Sequence, residues 1–247
     1  TVDRYYCHRG GYIRDFTLDP EGFSLDEETI IQLDDVYQWT LYVTREALRD
    51  SGYLKKPELL KRCGLILGNL SFPTKSSNHL FLPLYRQALE PLIAKLIGKP
   101  DFNLEPFAPP LKVAQENIEI SGLPATLTAR ALELGGPSLA LDAACASSLY
   151  SVGLACHYLH AGKAELMLAG AVSAADPFFI NMGFSIFQAY PEKGESCPLD
   201  KDSGGLFASE GAGMFLLKKL DDALRDGDQV HAVIRSVGWS NDGRGQF

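Results

Sequence analysis

No pair of cysteines in this chain has the CxxC spacing of a zinc ribbon or a redox motif. The five present, Cys7, Cys63, Cys145, Cys156 and Cys197, are an odd number without repeated spacing. Scattered, mostly apolar-flanked cysteines fit a reducing, cytosolic compartment. No apolar run is long enough to span a bilayer, and no signal peptide opens the chain. The glycine doublets Gly10-Gly11, Gly135-Gly136 and Gly204-Gly205 fit neither GxGxxG nor GxxxxGK[ST], so they read as turns and not as phosphate loops. Basic residues are in the minority, 23 against 31 acidic ones, for a net charge of −8. That balance argues against nucleic acid or an anionic membrane as the main partner, while a local basic patch leaves an acidic protein partner open. Internal repeats and low-complexity tracts are also missing.

What is there is a chain of 247 residues, 46% hydrophobic, enough for one large α/β domain or two small ones. Residues 1–30 are rich in glycine and aromatics and read as an ordered surface segment. Asp34 is placed to cap a helix from Asp35 to Asp50, whose Val36, Trp39, Val43, Ala47 and Leu48 share a face, with Gly52 ending it. Cys63–Gly68 is wholly apolar, the pattern of a buried parallel strand. A helix over about 78–97 follows, interrupted or bent near Pro83 and Pro91. Residues 99–111 hold four prolines and form a loop. Pro124 opens a helix carrying Leu127, Ala131 and Leu134. Strands are expected at Ser138–Ala144, Glu165–Val172, Gly213–Leu217 and Val230–Val237, with helices at Ala146–Ala161 and Asp221–Arg225. Strands alternating with helices predict a largely parallel sheet covered on both faces.

The chemistry-bearing segment runs from Gly136 to Leu149. A buried strand leads to Cys145 and a helix begins directly after it, which is a nucleophile elbow in physical terms. The sulfur then sits at a helix N-terminus, where unpaired amides and the helix dipole favour an anion. The Cys145 amide is placed to supply half of an oxyanion hole for a bound thioester. Ala143, Ala144, Ala146 and Ser147 are small and leave a ligand room to approach. The competing account is a buried structural cysteine, a common core residue. An α/β-hydrolase elbow fits less well, because Ala143 and Ser147 stand where Gly-x-nucleophile-x-Gly needs glycine.

Asp142-Ala143-Ala144-Cys145-Ala146-Ser147-Ser148-Leu149 resembles the Asp-Thr-Ala-Cys-Ser-Ser-Ser-Leu signature of β-ketoacyl synthases. Further motifs resemble that family in the same order. They are Leu134-Gly135-Gly136-Pro137-Ser138 before the signature, and Ala169-Gly170-Ala171-Val172 after its helix. Pro198-Leu199-Asp200-Lys201-Asp202-Ser203-Gly204-Gly205, Ser209-Glu210-Gly211-Ala212-Gly213 and Ser240-Asn241-Asp242-Gly243 follow. Asp3-Arg4-Tyr5-Tyr6-Cys7 and Arg9-Gly10-Gly11-Tyr12-Ile13 are similar to the early part of a multidomain ketosynthase. The proline-interrupted stretch at 71–112 is similar to ketosynthases of polyunsaturated fatty-acid synthases. The sequence departs from the signature at Ala143 and Ala146, small for small, and at Leu199, Gly204 and Leu206, where the family often has Phe, Asp and Phe. Nothing replaces Cys145, which disfavours chain-length-factor relatives that lack the nucleophile.

The resemblance implies the thiolase-like α/β fold, α/β/α/β/α layers in the full domain, with this chain as mainly its N-terminal half and both ends truncated. It implies decarboxylative Claisen condensation: Cys145 takes an acyl group from the phosphopantetheine of an acyl carrier protein, and a malonyl-carrier thioester extends it. No metal or bound cofactor is called for. The expected partners are the carrier protein, a second ketosynthase copy or a chain-length factor, and the missing C-terminal half. Leu206, by its motif position, borders the acyl pocket. Phe184 and Phe187, with Phe178, Phe179 and Ile186, read either as core or dimer interface or as acyl-tunnel lining. Two histidines and a lysine are expected from the later half of such a domain. None of His8, His79, His157, His160 and His231 stands in a His-Gly-Thr or Gly-His context. A non-catalytic half-domain for dimerisation or carrier docking and a thiolase-like acyl-CoA acyltransferase are the alternatives.

Overall fold

The computed structural model describes residues 5–105, 114–191, 195–241 and 243. Asp3, Arg4 and Asp242 of the family motifs, and Pro106, Pro109 and Pro110 of the proline-rich loop, lie outside them. Four strands form one sheet in the order β2-β1-β3-β4, with β1 at Cys63–Asn69, β2 at Ser138–Leu141, β3 at Leu166–Ser173 and β4 at Gly211–Lys218. β1 runs parallel to both β2 and β3, and β4 closes the row antiparallel to β3. The expected parallel sheet is therefore present, with one antiparallel edge.

β1 is buried along its whole length. Its Leu65 and Leu67 face one core, shared with α2 (Asp35–Asp50), α5 (Leu123–Ala131) and Leu166 and Leu168 of β3. Its Ile66 faces the other, with Met167 and Ala169 of β3 and Ala155 and Leu159 of α6 (Ser147–His160). A strand buried on both faces needs no polar alternation, which is why its sequence is a continuous apolar run. Burial also pushes the Cys63 thiol up to about 12.

Asp34 caps α2 as expected, accepting from the Val36 amide at 3.1 Å. Arg45 of this helix is fully buried, and its guanidinium donates to the Asp19 and Glu21 carbonyls at 2.6 and 2.7 Å while lying over the Phe23 ring. Those bonds satisfy a buried charge and pin the segment before α1 (Glu27–Gln32), a short helix the residue pattern does not announce. After α3 (Pro57–Leu60) and β1, the next helix, α4, spans Lys75–Ile97, starting earlier than expected because Thr74 and Ser77 form a reciprocal capping box. It continues through Pro83 and Pro91.

Phe178, Phe179, Phe184 and Ile186 lie on a helix that the residue pattern leaves unassigned, α7 (Pro177–Ile186), with Phe187 at its C-cap. One expectation needs correction. The segment Val230–Val237, beyond α8 (Leu220–Asp226), is not a strand: it pairs with no neighbour among the described residues, and Val230, Val233, Ile234 and Val237 are exposed. β-branched residues favour a pleated surface, but a strand exists only where a ladder partner meets it. Shorter differences fall at element ends: β2 stops at Leu141, three residues before the expected limit. No helix among the described residues is long and apolar enough to cross a membrane.

Candidate active site

The C-terminal ends of parallel strands are where α/β sheets present reactive groups. β2 ends at Leu141, paired with Gly68 of β1, and α6 begins at Ser147. Between them lies a turn of five residues centred on Ala144 and Cys145. Ala144 has φ +50°, the left-handed region that residues with a Cβ rarely adopt. The chain must reverse sharply here to pass from strand to helix, and Ala144, which carries a Cβ, bears the strain of that reversal.

Four amides around the turn are satisfied locally. Ala146 and Ser147 donate to the carbonyls of Ala143 and Ala144, both at 3.1 Å. Ala144 donates to Asp142 Oδ1 at 2.9 Å. Ala143 donates to the hydroxyl of Ser147 at 2.9 Å, and that hydroxyl donates in turn to the Ala144 carbonyl at 2.6 Å. Cys145 stands exposed at the crest. Burial, the competing account of a free cysteine, describes Cys7 and Cys63 and not Cys145.

The start of α6 is seated tightly. A Cβ at Gly68 would lie 2.8 Å from the carbonyl carbon and oxygen of Ser147, so only glycine lets the helix descend so close to β1. One turn on, the buried Ser151 hydroxyl bonds the Ser148 carbonyl at 2.7 Å and the Gly170 carbonyl of β3 at 2.9 Å. Farther down, Trp239 stacks on Tyr150 at 4.2 Å and covers Gly153, where a Cβ would meet the indole ring at 2.3 Å.

The three other sequence-derived site residues lie elsewhere. Phe184 packs with Tyr190, Cys7 and Ala208 in a small separate core, its ring 6.0 Å from that of Tyr190. Phe187 and Leu206 are at the surface, 55% and 38% exposed. The Leu206 amide donates to the Ala189 carbonyl, which joins the segment before β4 to the end of α7. α7 itself is fixed by Asp176, which accepts from the Phe178 amide and from Asn78 of α4, and by Asn181, which bonds the hydroxyls of Tyr12 and Tyr190. Glu210, 7% exposed at its side chain, accepts from the Ile13 amide and lies 3.7 Å from Lys75. Both contacts tie the N-terminal segment and α4 to the start of β4, a structural role. Of the histidines, His8 meets Tyr5, His157 meets Trp239, and His231 lies 3.8 Å from Asp50.

The Ser147 bridge is not foreseen from the residues, where this serine reads only as a small one. Its offset of two from the cysteine is the one available signal.

Residues 2–223 match the family model described as Beta-ketoacyl synthase, N-terminal domain. A component of the polyunsaturated fatty acid synthase of Thraustochytrium sp. is 33% identical across 99% of this chain, which spans 12% of that relative's length. A solved structure titled PfaC keto synthase–chain length factor is 56% identical, with a TM-score of 0.93, over all of this chain and 26% of that one. The ketosynthase from module 1 of the bacillaene synthase of Bacillus amyloliquefaciens is 25% identical, with a TM-score of 0.65, over 93% of this chain and 35% of its own. The fold is thus the thiolase-like α/β fold of these neighbours. The chain belongs to the β-ketoacyl synthase family, and its relatives are synthases of the polyunsaturated fatty-acid and polyketide type.

Proposed function

We propose that this chain carries the acyl-accepting centre of a β-ketoacyl-[acyl-carrier-protein] synthase working in polyunsaturated fatty-acid or polyketide synthesis. The observation that carries the reading is the exposed Cys145 on a strained turn between a parallel strand and a helix N-terminus, inside the family signature.

In the first half-reaction the Cys145 thiolate attacks the carbonyl carbon of an acyl thioester held on carrier phosphopantetheine. The new C–S bond forms first and gives a tetrahedral oxyanion; its collapse then breaks the old C–S bond, and the departing pantetheine thiolate takes up a proton. The Cys145 amide donates to the oxyanion between these steps. In the second half-reaction a malonyl-carrier thioester loses carbon dioxide, and its enolate attacks the acyl-Cys145 thioester to give a β-ketoacyl carrier and free Cys145. The proton transfers of that half fall to histidines and a lysine outside this chain, in the C-terminal half of the domain. Phe184, Phe187 and Leu206 are assigned to the acyl-binding side, completed by that half and by a second copy or a chain-length factor. The exposure of Phe187 and Leu206 is consistent with a surface that another segment covers.

The test is covalent mapping. The intact synthase is incubated with an acyl-carrier thioester or a cerulenin-type alkylator, and the modified residue is identified by mass spectrometry. Label on Cys145 that disappears in Cys145→Ala supports the reading; label that persists in that variant overturns it. A protein that takes no label at all favours the non-catalytic, docking alternative.

A further inference from the structure

Ser147 occupies an unusual place for a serine at a helix start. A capping serine stands at the N-cap and accepts from amides ahead of it, in the first turn of the helix. Here the N-cap is Ala146, which makes no side-chain bond, and Ser147 is the first helical residue. Its hydroxyl reaches backward, accepting from the Ala143 amide and donating to the Ala144 carbonyl. Both partners precede Cys145, and one of them is the residue with φ +50°. The hydroxyl therefore serves the turn and leaves the helix uncapped.

We propose that Ser147 is a positioning residue of the acylation step, holding the turn so that the Cys145 sulfur and amide address one thioester carbonyl together. The proposal rests on the reading of Cys145 as acyl acceptor. The residue is buried, which limits the access of water to its bonds. Gly68 beneath it and Leu141 paired with Gly68 give the latch a fixed floor. The turn's second side-chain bond, from the Ala144 amide to Asp142, is on the exposed side. Removing the Ser147 hydroxyl leaves the Ala143 amide without its acceptor, and leaves the Ala144 carbonyl with only the longer bond from the Ser147 amide. Thioester attack needs sulfur and oxyanion donor placed together, and a displacement of about 1 Å costs on the order of 100-fold in rate. Alkylation by iodoacetamide is a simple displacement at carbon, forms no oxyanion, and needs only the sulfur.

The experiment compares Ser147→Ala, Ser147→Thr and Cys145→Ala in the intact synthase, with the octanoyl thioester of N-acetylcysteamine as acyl donor. The rate and KM of Cys145 acylation, the rate of its alkylation by iodoacetamide, and the thermal midpoint are measured. We expect Ser147→Ala to lower the acylation rate at least tenfold, with KM and alkylation rate within threefold of the parent. Ser147→Thr, which keeps the hydroxyl, should acylate within threefold of the parent. The proposal is overturned if Ser147→Ala acylates at the parental rate, or if acylation and alkylation fall in the same proportion. Should Ser147→Ala not fold, Ser147→Thr decides, and a tenfold loss of acylation in it overturns the proposal. Acyl label persisting in Cys145→Ala instead removes the underlying reading of the nucleophile, an outcome separate from the others.

Discussion

Replacing Gly68 by alanine should lower stability by forcing apart the strand and the helix that carry the elbow. The added Cβ would lie 2.8 Å from the carbonyl carbon and oxygen of Ser147 and 3.0 Å from its Cβ. Comfortable carbon contacts begin near ~3.5 Å, so the two backbones must separate by roughly half an ångström. Neither side yields easily. Gly68 is paired on both flanks, with Leu141 of β2 and Ala171 of β3, and Ser147 is fixed by its two turn bonds. Overpacking of this kind costs about 1–3 kcal/mol. For a domain of this size each kcal/mol lowers the thermal midpoint by roughly 2–4 °C. Gly183 in the interior of α7 makes the comparison. A Cβ there would meet nothing within 4 Å, so Gly183→Ala should raise stability by about 0.5–1 kcal/mol through helix propensity alone. Calorimetric midpoints of the two variants should move in opposite directions. If both rise, or Gly68→Ala leaves the midpoint unmoved, the close approach of α6 to β1 is not what the geometry indicates.

Gly153→Ala should expel the Trp239 indole, because its Cβ would fall 2.3 Å from two ring atoms and 2.9 Å from Val237 Cγ1. In a Trp39→Phe background the emission of Trp239 should shift to the red, and an unshifted spectrum refutes the seating on α6. At the far edge of the sheet, Lys218 donates to Tyr53, Asp226 and Asp228. Arg225 first and Lys218 second hold the Asp226 carboxyl down to about 2. Burial pushes the Asp228 carboxyl up, but bonds from Lys218 and Tyr53 outweigh it and leave it below its ordinary 3.8. Carboxylates lowered in the folded state add stability above the ordinary value and lose it as pH falls through the lowered one. Lys218→Met leaves Arg225 on Asp226 but removes the cation from Asp228, so it should lower stability near neutrality and partly flatten the loss of stability between about pH 4 and 2, read from urea midpoints. An acid limb as steep as the parent's would contradict this.

The parts of the fold legible in the residues are those where local and tertiary preferences agree. α2 is announced by Asp34 and its apolar face, and β1 by an apolar run too short for a helix. α7 was missed because Pro177–Ile186 shows no polar–apolar period, its aromatics being spread around the helix. The Asp176-Pro177 pair, a capping acid before a proline at the first helical position, was the available signal. Val230–Val237 misled in the opposite direction, since β-propensity describes a surface waiting for a neighbour. At the site, the cysteine and its elbow were readable from strand, turn and helix order. The left-handed Ala144 and the backward bond of Ser147 were not, because neither alanine nor serine marks such geometry by type.

The parallel pairing of β1 with β2 also sets how the chain can vary. Gly68 and Leu141 are held side by side, yet everything from residue 70 to 137 lies between the two strands. Closing a loop that long costs an entropy that grows only with the logarithm of its length, about 0.6 kcal/mol for each doubling. Lengthening or trimming the α4 excursion therefore barely changes the free energy of bringing β2 beside β1. A diversifying lineage can rework that stretch while the turn at Cys145 keeps its shape.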